Sequence, residues 1–254
     1  MFGYNFDRRS LFILMGVMIV LTLISLGTSS IITTILTLPG VVLAISFHEF
    51  AHAFAADRLG DRTPRNQGRL TINPSAHLDP IGMVVLLFAK IGWGKPVQIN
   101  PNNFTTKSKE KGEAIVAIAG PLMNFLLAIV FTVIFYILSI VDGSAVFEMI
   151  TSTQIEGMSF MALISLVVYY AIIVNIGLGV FNLIPIPPLD GSKIFLRLLP
   201  YKAQRWIAEN ETMIYMIFLL LCFTRILGLL TGPIIIHVGN AIFWLVGTIF
   251  SLFI

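Results

Sequence analysis

Six apolar runs, near residues 10–28, 31–56, 113–141, 160–184, 211–230 and 233–254, are each long enough to cross a hydrocarbon core of about 30 Å at about 1.5 Å per helical residue. Lipid offers the backbone no hydrogen-bond partners, so such runs must be helices. The chain is therefore expected to be an all-α polytopic membrane protein of six transmembrane helices. Charged residues are 11% and hydrophobic residues 57% of the chain, whereas charged residues alone reach about 25% in soluble domains. The 254 residues hold one compact domain, 1–254, and no sizeable soluble module. Cys222 is the only cysteine and lies in an apolar run, which excludes a disulfide framework and a cysteine metal site.

The net charge of +3 does not point to nucleic acid, because the basic residues sit beside the apolar runs. Two Lys/Arg precede the first run, nine lie in 57–112, four in 185–210 and none in 142–159. The positive-inside rule then puts both termini and the 57–112 and 185–210 segments on the cytoplasmic face. Arg8 and Arg9 precede an apolar run with no small-residue cleavage site, so the first run reads as a retained span. Arg225, inside the fifth span, is expected to snorkel to an interface.

Within the second run stands His48-Glu49-Phe50-Ala51-His52. On a helix, residues four apart share a face, so both imidazoles can bind one zinc ion while Glu49 reaches water as a general base. Two imidazoles and a carboxylate at membrane depth cost several kcal/mol unless paired or metal-bound. The competing reading is a buried hydrogen-bonded cluster. Four residues separate His52 from Asp57, so the site is expected near the cytoplasmic edge, open to water from that side.

A catalytic zinc needs a third protein ligand and an open position. Asp190 is the candidate, in Phe181-Asn182-Leu183-Ile184-Pro185-Ile186-Pro187-Pro188-Leu189-Asp190-Gly191. Three prolines in four positions cannot continue a helix, so the fourth span must unwind at the depth of the histidines. The alternative is a plain span terminus followed by an Asp-Gly turn. Asn182, in that stretch, could donate a hydrogen bond to a developing oxyanion.

These two stretches resemble the active-site motifs of the site-2 protease family of intramembrane zinc metalloproteases, in its compact bacterial branch without PDZ or CBS domains. The resemblance implies zinc, one per chain, on His48, His52 and Asp190, with Glu49 as general base and Asn182 stabilising the oxyanion. A third family stretch is matched by Gly120-Pro121-Leu122-Met123-Asn124, where Gly120 and Pro121 would permit close helix approach. Asn124 would hydrogen-bond behind the ligands or make an interhelical contact. The segments 72–82 and 92–97 are also similar to that branch. A transmembrane protein substrate and the bacterial plasma membrane are likewise implied.

The 57–112 segment carries two runs, Arg69–Pro74 and Pro96–Pro101, that alternate and stop at Asn-Pro. They predict a small cytoplasmic-side β element whose edge could hold a substrate extended. Its apolar patch, Ile81 to Ala89, is too short to cross and reads as interfacial or re-entrant. His77 is expected to serve as a structural or substrate-guiding hydrogen-bonding group, and His237 as a helix–helix contact.

The expected function is hydrolysis of a peptide bond within or near a transmembrane segment. One alternative is a membrane zinc protease of the prenyl-protein-processing type, with its third ligand a glutamate on a later helix; Glu209 and Glu211 lack a matching context. Another is a catalytically silent substrate-binding scaffold, against which the presence of Glu49 argues. No oligomeric state is written in the sequence.

Overall fold

The computed structural model describes residues 28–83, 93–152, 155, 157–224 and 226–252. Ten α-helices are named among them: α1 (Thr28–Arg58), α2 (Thr63–Asn66), α3 (Pro74–His77), α4 (Lys109–Val141), α5 (Gly143–Thr151), α6 (Phe160–Asn182), α7 (Asp190–Phe195), α8 (Tyr201–Glu209), α9 (Glu211–Phe223) and α10 (Ile226–Phe250). Four of these, α1, α4, α6 and α10, are long and apolar enough to cross a membrane. This is an integral membrane protein.

Polar side chains cap the starts of three helices. Ser108 accepts from Lys111 N–H to open α4, Asp142 from Ala145 N–H to open α5, and Ser159 from Ala162 N–H to open α6. Each occupies one of the backbone donors that a helix start leaves unpaired. The largest core cluster joins α4, α6 and α10 through Ala128, Phe135, Ile172, Ile176, Ile242 and Val246. Helix α1 meets α6 where Gly40 faces Ala171: a Cβ on Gly40 would lie 2.7 Å from the Ala171 Cα. Only glycine allows that approach.

Two parts of the expected fold are corrected. Six spans are replaced by four among the described residues; the first expected span, 10–28, lies almost wholly outside them, as does Arg225. The expected fifth and sixth spans were divided between residues 230 and 233, yet α10 runs unbroken from Ile226 to Phe250. The chain breaks instead after Phe223, leaving α9 with 13 residues, about 20 Å of helix and too short to cross. His237, on the exposed side of α10, donates its Nδ1–H to the Pro233 carbonyl at 2.7 Å within its own helix rather than to a neighbour.

The β element is also absent: no strand occurs among the described residues, and the pairing there is one isolated antiparallel bridge between Leu78 and Gly94. Its physical cause is local. The Asn-Pro pairs that read as strand stops are helix starts, with Asn73 accepting from Ser75 N–H to cap α3 and Asn100 from Asn102 N–H to cap a 3₁₀ turn at Pro101–Asn103. Pro96 has no N–H to give a ladder, Val97 N–H goes to Glu49, and Asn100 N–H goes to Asp61. Most of the 81–89 patch lies outside the described residues.

Candidate metal centre

Helix α1 carries His48, Glu49 and His52, and α6 ends at Asn182, one residue before the irregular stretch that contains the prolines. That stretch turns back so that α7 begins at Asp190. Gly191 makes the turn possible, because a Cβ there would overlap the Leu183 carbonyl. The result brings three donor atoms together. His48 Nε2 and His52 Nε2 are 3.0 Å apart, and Asp190 Oδ2 lies 3.1 Å from the first and 3.0 Å from the second. All three residues are at most 9% exposed.

The far side of each imidazole fixes its tautomer. His48 Nδ1 lies 2.7 Å from Asn124 Oδ1, and His52 Nδ1 lies 2.7 Å from the Val116 carbonyl oxygen. Both partners can only accept, so each Nδ1 carries a proton, and in the neutral ring that a metal ligand requires the Nε2 lone pair turns inward. Two lone pairs and a carboxylate oxygen then crowd one point without a donor, an arrangement that a cation relieves. A tetrahedral zinc with bonds of about 2.0–2.1 Å needs donor separations of about 3.3 Å. The observed edges are close to that. The residues fit zinc.

Glu49 stands beside the trio, on the wall of a cavity of about 160 Å³ that Val97, Asn182 and Lys193 also line. Its Oε2 accepts from Val97 N–H at 2.8 Å. Lys193 Nζ is 3.8 Å from the other Asp190 oxygen. Asn182 donates one amide hydrogen to the Leu178 carbonyl at 3.0 Å and keeps a second. Gly120 passes against the rings, and Pro121, next to it inside α4, withdraws an N–H from the helix ladder beside the turn whose Val116 carbonyl holds His52. Asn124 is fully buried behind His48. Of the two glutamates weighed for the prenyl-processing alternative, Glu209 pairs with Arg205, and neither Glu209 nor Glu211 joins the group of His48, His52 and Asp190.

His77 does not join the centre. It is fully buried, with its Nε2–H donated to the Thr71 carbonyl at 2.6 Å, and its own carbonyl accepts from Lys95 N–H at 2.7 Å. Arg69 donates to the carbonyls of Ala76 and Lys95, so the two residues tie the 71–77 loop to the segment that lines the cavity. Burial pulls the His77 imidazole below its ordinary value; its bond to Thr71 opposes this, and the Arg69 charge adds to it. The unfolded ring takes a proton near pH 6.5 and the folded ring resists it, so this contribution to stability is complete above about pH 6.5 and shrinks as pH falls below it. Thermal melts at pH 7.5 and 5.5 should show that loss in the wild type and a smaller one in His77→Gln.

Asp61 was not foreseen. It is fully buried, and its two oxygens accept from Thr63 N–H at 3.0 Å, Thr63 Oγ1 at 2.5 Å, Asn103 Nδ2 at 2.9 Å and Asn100 N–H at 2.6 Å. Burial alone would raise its pKa, but the bonds from Asn100, Thr63 and Asn103 outweigh that and hold the carboxyl below the usual range. Asp61→Ala should cost about 2 kcal/mol, because donors from Thr63, Asn100 and Asn103 lose one shared, fully buried acceptor. A chemical-denaturation midpoint unchanged from wild type would contradict this.

The match to the Peptidase family M50 model covers residues 36–225 and so includes every residue of the centre. The chain is 32% identical over 211 residues to "Putative zinc metalloprotease YwhC" of Bacillus subtilis, covering 83% of this chain and 90% of that protein. It is 28% identical over 195 residues to "Putative zinc metalloprotease Rip2" of Mycobacterium tuberculosis strain H37Rv, covering 74% and 66%. The namesake in Mycolicibacterium smegmatis is 37% identical over 101 residues, 37% of this chain and 38% of that one. No solved structure matches. With a zinc-fitting centre on membrane helices and a family match across it, the chain belongs to peptidase family M50, the site-2 protease family.

Proposed function

We propose that this chain is an intramembrane zinc endopeptidase that hydrolyses a peptide bond within or near a transmembrane segment of another membrane protein. The observation that carries this is the convergence of His48 Nε2, His52 Nε2 and Asp190 Oδ2 beside the Glu49 carboxylate, on a helix long and apolar enough to span. Zinc bound there supplies Lewis-acid polarisation of water and of the scissile carbonyl. Glu49 takes the proton from the attacking water and returns it to the leaving amine. Val97 N–H holds one Glu49 oxygen at 2.8 Å, which leaves the other for the proton. The second amide hydrogen of Asn182 donates to the developing oxyanion. Asn124 and the Val116 carbonyl keep both imidazoles turned so that Nε2 serves the ion.

A cavity of about 160 Å³ holds a handful of water molecules at about 30 Å³ each, whereas a helix with its side chains is about 10–12 Å across. A substrate helix must therefore unwind before its peptide bond reaches the ligands. The basic residues of 57–112 and 185–210 favour a site that opens to the cytoplasm of a bacterial plasma membrane. Phe250 stacks on Tyr136, about 24 Å of helix from Gly120, so we assign the end of α10 to the opposite face. That departs from the expectation that both termini are cytoplasmic.

The test is zinc content of the purified, detergent-solubilised chain, wild type against Asp190→Ala, alongside cleavage of a transmembrane reporter. One zinc per wild-type chain, lost or at least 100-fold weaker without Asp190, is expected. Wild-type zinc affinity in Asp190→Ala would move the third ligand elsewhere and sink the assignment.

A further inference from the structure

Asn175 lies in α6, fully buried, and is not one of the residues that line the cavity. We propose that it is a positioning residue for His48, acting through Asn124; this rests on the zinc reading above. Its Nδ2 donates to the Ala171 carbonyl at 2.8 Å, and its Oδ1 accepts from Asn124 Nδ2 at 3.2 Å. Asn124 Nδ2 also donates to the Ala44 carbonyl at 3.1 Å, while Asn124 Oδ1 faces His48 Nδ1 at 2.7 Å.

Two backbone carbonyls anchor this chain of contacts, and a carbonyl can only accept. Ala171 therefore fixes which way the Asn175 amide points. Asn175 Oδ1 and the Ala44 carbonyl together fix the Asn124 amide, because a flipped Asn124 would press its own oxygen against both. Asn124 Oδ1 then demands a proton on His48 Nδ1, and His48 Nε2 is left bare toward Asp190 and His52. A flipped Asn124 would offer N–H to Nδ1, move the proton to Nε2 and close His48 as a ligand. Asn175 supplies, from a third helix, one of the two acceptors that oppose that flip.

Zinc affinity measured by chelator competition on the full chain in detergent tests the assignment. Asn175→Leu should bind zinc about 10–100-fold more weakly and shift the visible absorption of the cobalt-substituted protein. Asn175→Asp, whose fully buried carboxyl when protonated both donates to the Ala171 carbonyl and accepts from Asn124, should recover most of the affinity. Thr132→Val is the control: it removes another fully buried polar group, a hydroxyl bonded to the Ala128 carbonyl in α4, and should lower the melting temperature without touching zinc affinity. If Asn175→Leu does not fold, Asn175→Ala carries the same expectation. Asn175→Leu within twofold of wild type, or Asn175→Asp as weak as Asn175→Leu, overturns the proposal while the zinc reading stands. A wild-type chain that takes up no zinc overturns both.

Discussion

Glu49→Gln should retain one zinc per chain and lose cleavage of a transmembrane reporter by about 10²–10⁴-fold, the range that a positioned general base supplies. The variant is close to isosteric, and its amide oxygen can still accept from Val97 N–H, which bonds Glu49 Oε2 at 2.8 Å in the wild type. None of the three converging atoms belongs to Glu49, so the ligand triangle is left alone. What disappears is the ability to take a proton from water. Zinc content and melting temperature should therefore match wild type while turnover collapses. The silent-scaffold alternative expects no turnover in either protein. Cleavage by Glu49→Gln within a few-fold of wild type would remove Glu49 from the proton transfer.

The site was more legible than the fold around it, for reasons of range. His48 and His52 are one helical turn apart, and Asp190 follows a run of prolines that no helix can absorb; both signals are local. Their meeting across 142 positions was read from the helix break at the depth of the histidines and from the resemblance. Of the groups behind the rings, Asn124 showed in its Gly-Pro-x-x-Asn stretch, whereas the Val116 carbonyl is backbone and Asn175, behind Asn124, is one asparagine in an apolar run. Asn73 and Asn100 misled because Asn-Pro ends strands and starts helices equally well, and only the donors taken by Glu49 and Asp61 decide which.

Gly120→Ala should weaken zinc binding by at least about 100-fold and abolish cleavage with it, though it adds one methyl group. A Cβ at this position would lie 2.6 Å from His48 Cε1, His52 Cε1 and His52 Nε2 at once, closer than van der Waals contact by about 1 Å. A flexible side chain could step aside, but these rings cannot. Each is buried and pinned at Nδ1, His48 to Asn124 and His52 to the Val116 carbonyl. Turning either ring gives up that bond and swings Nε2 away from Asp190. The remaining relief is to push α4 away from α1, which carries Val116 and Asn124 off with it and undoes the same two bonds. Gly228→Ala is the matching control, because among the described residues nothing lies within 4 Å of a Cβ there and alanine is the better helix former. It should melt at or above the wild-type temperature and bind zinc normally. A Gly120→Ala protein with wild-type zinc affinity would mean that the rings are free to move, and the tautomer argument built on their Nδ1 partners would fall with it.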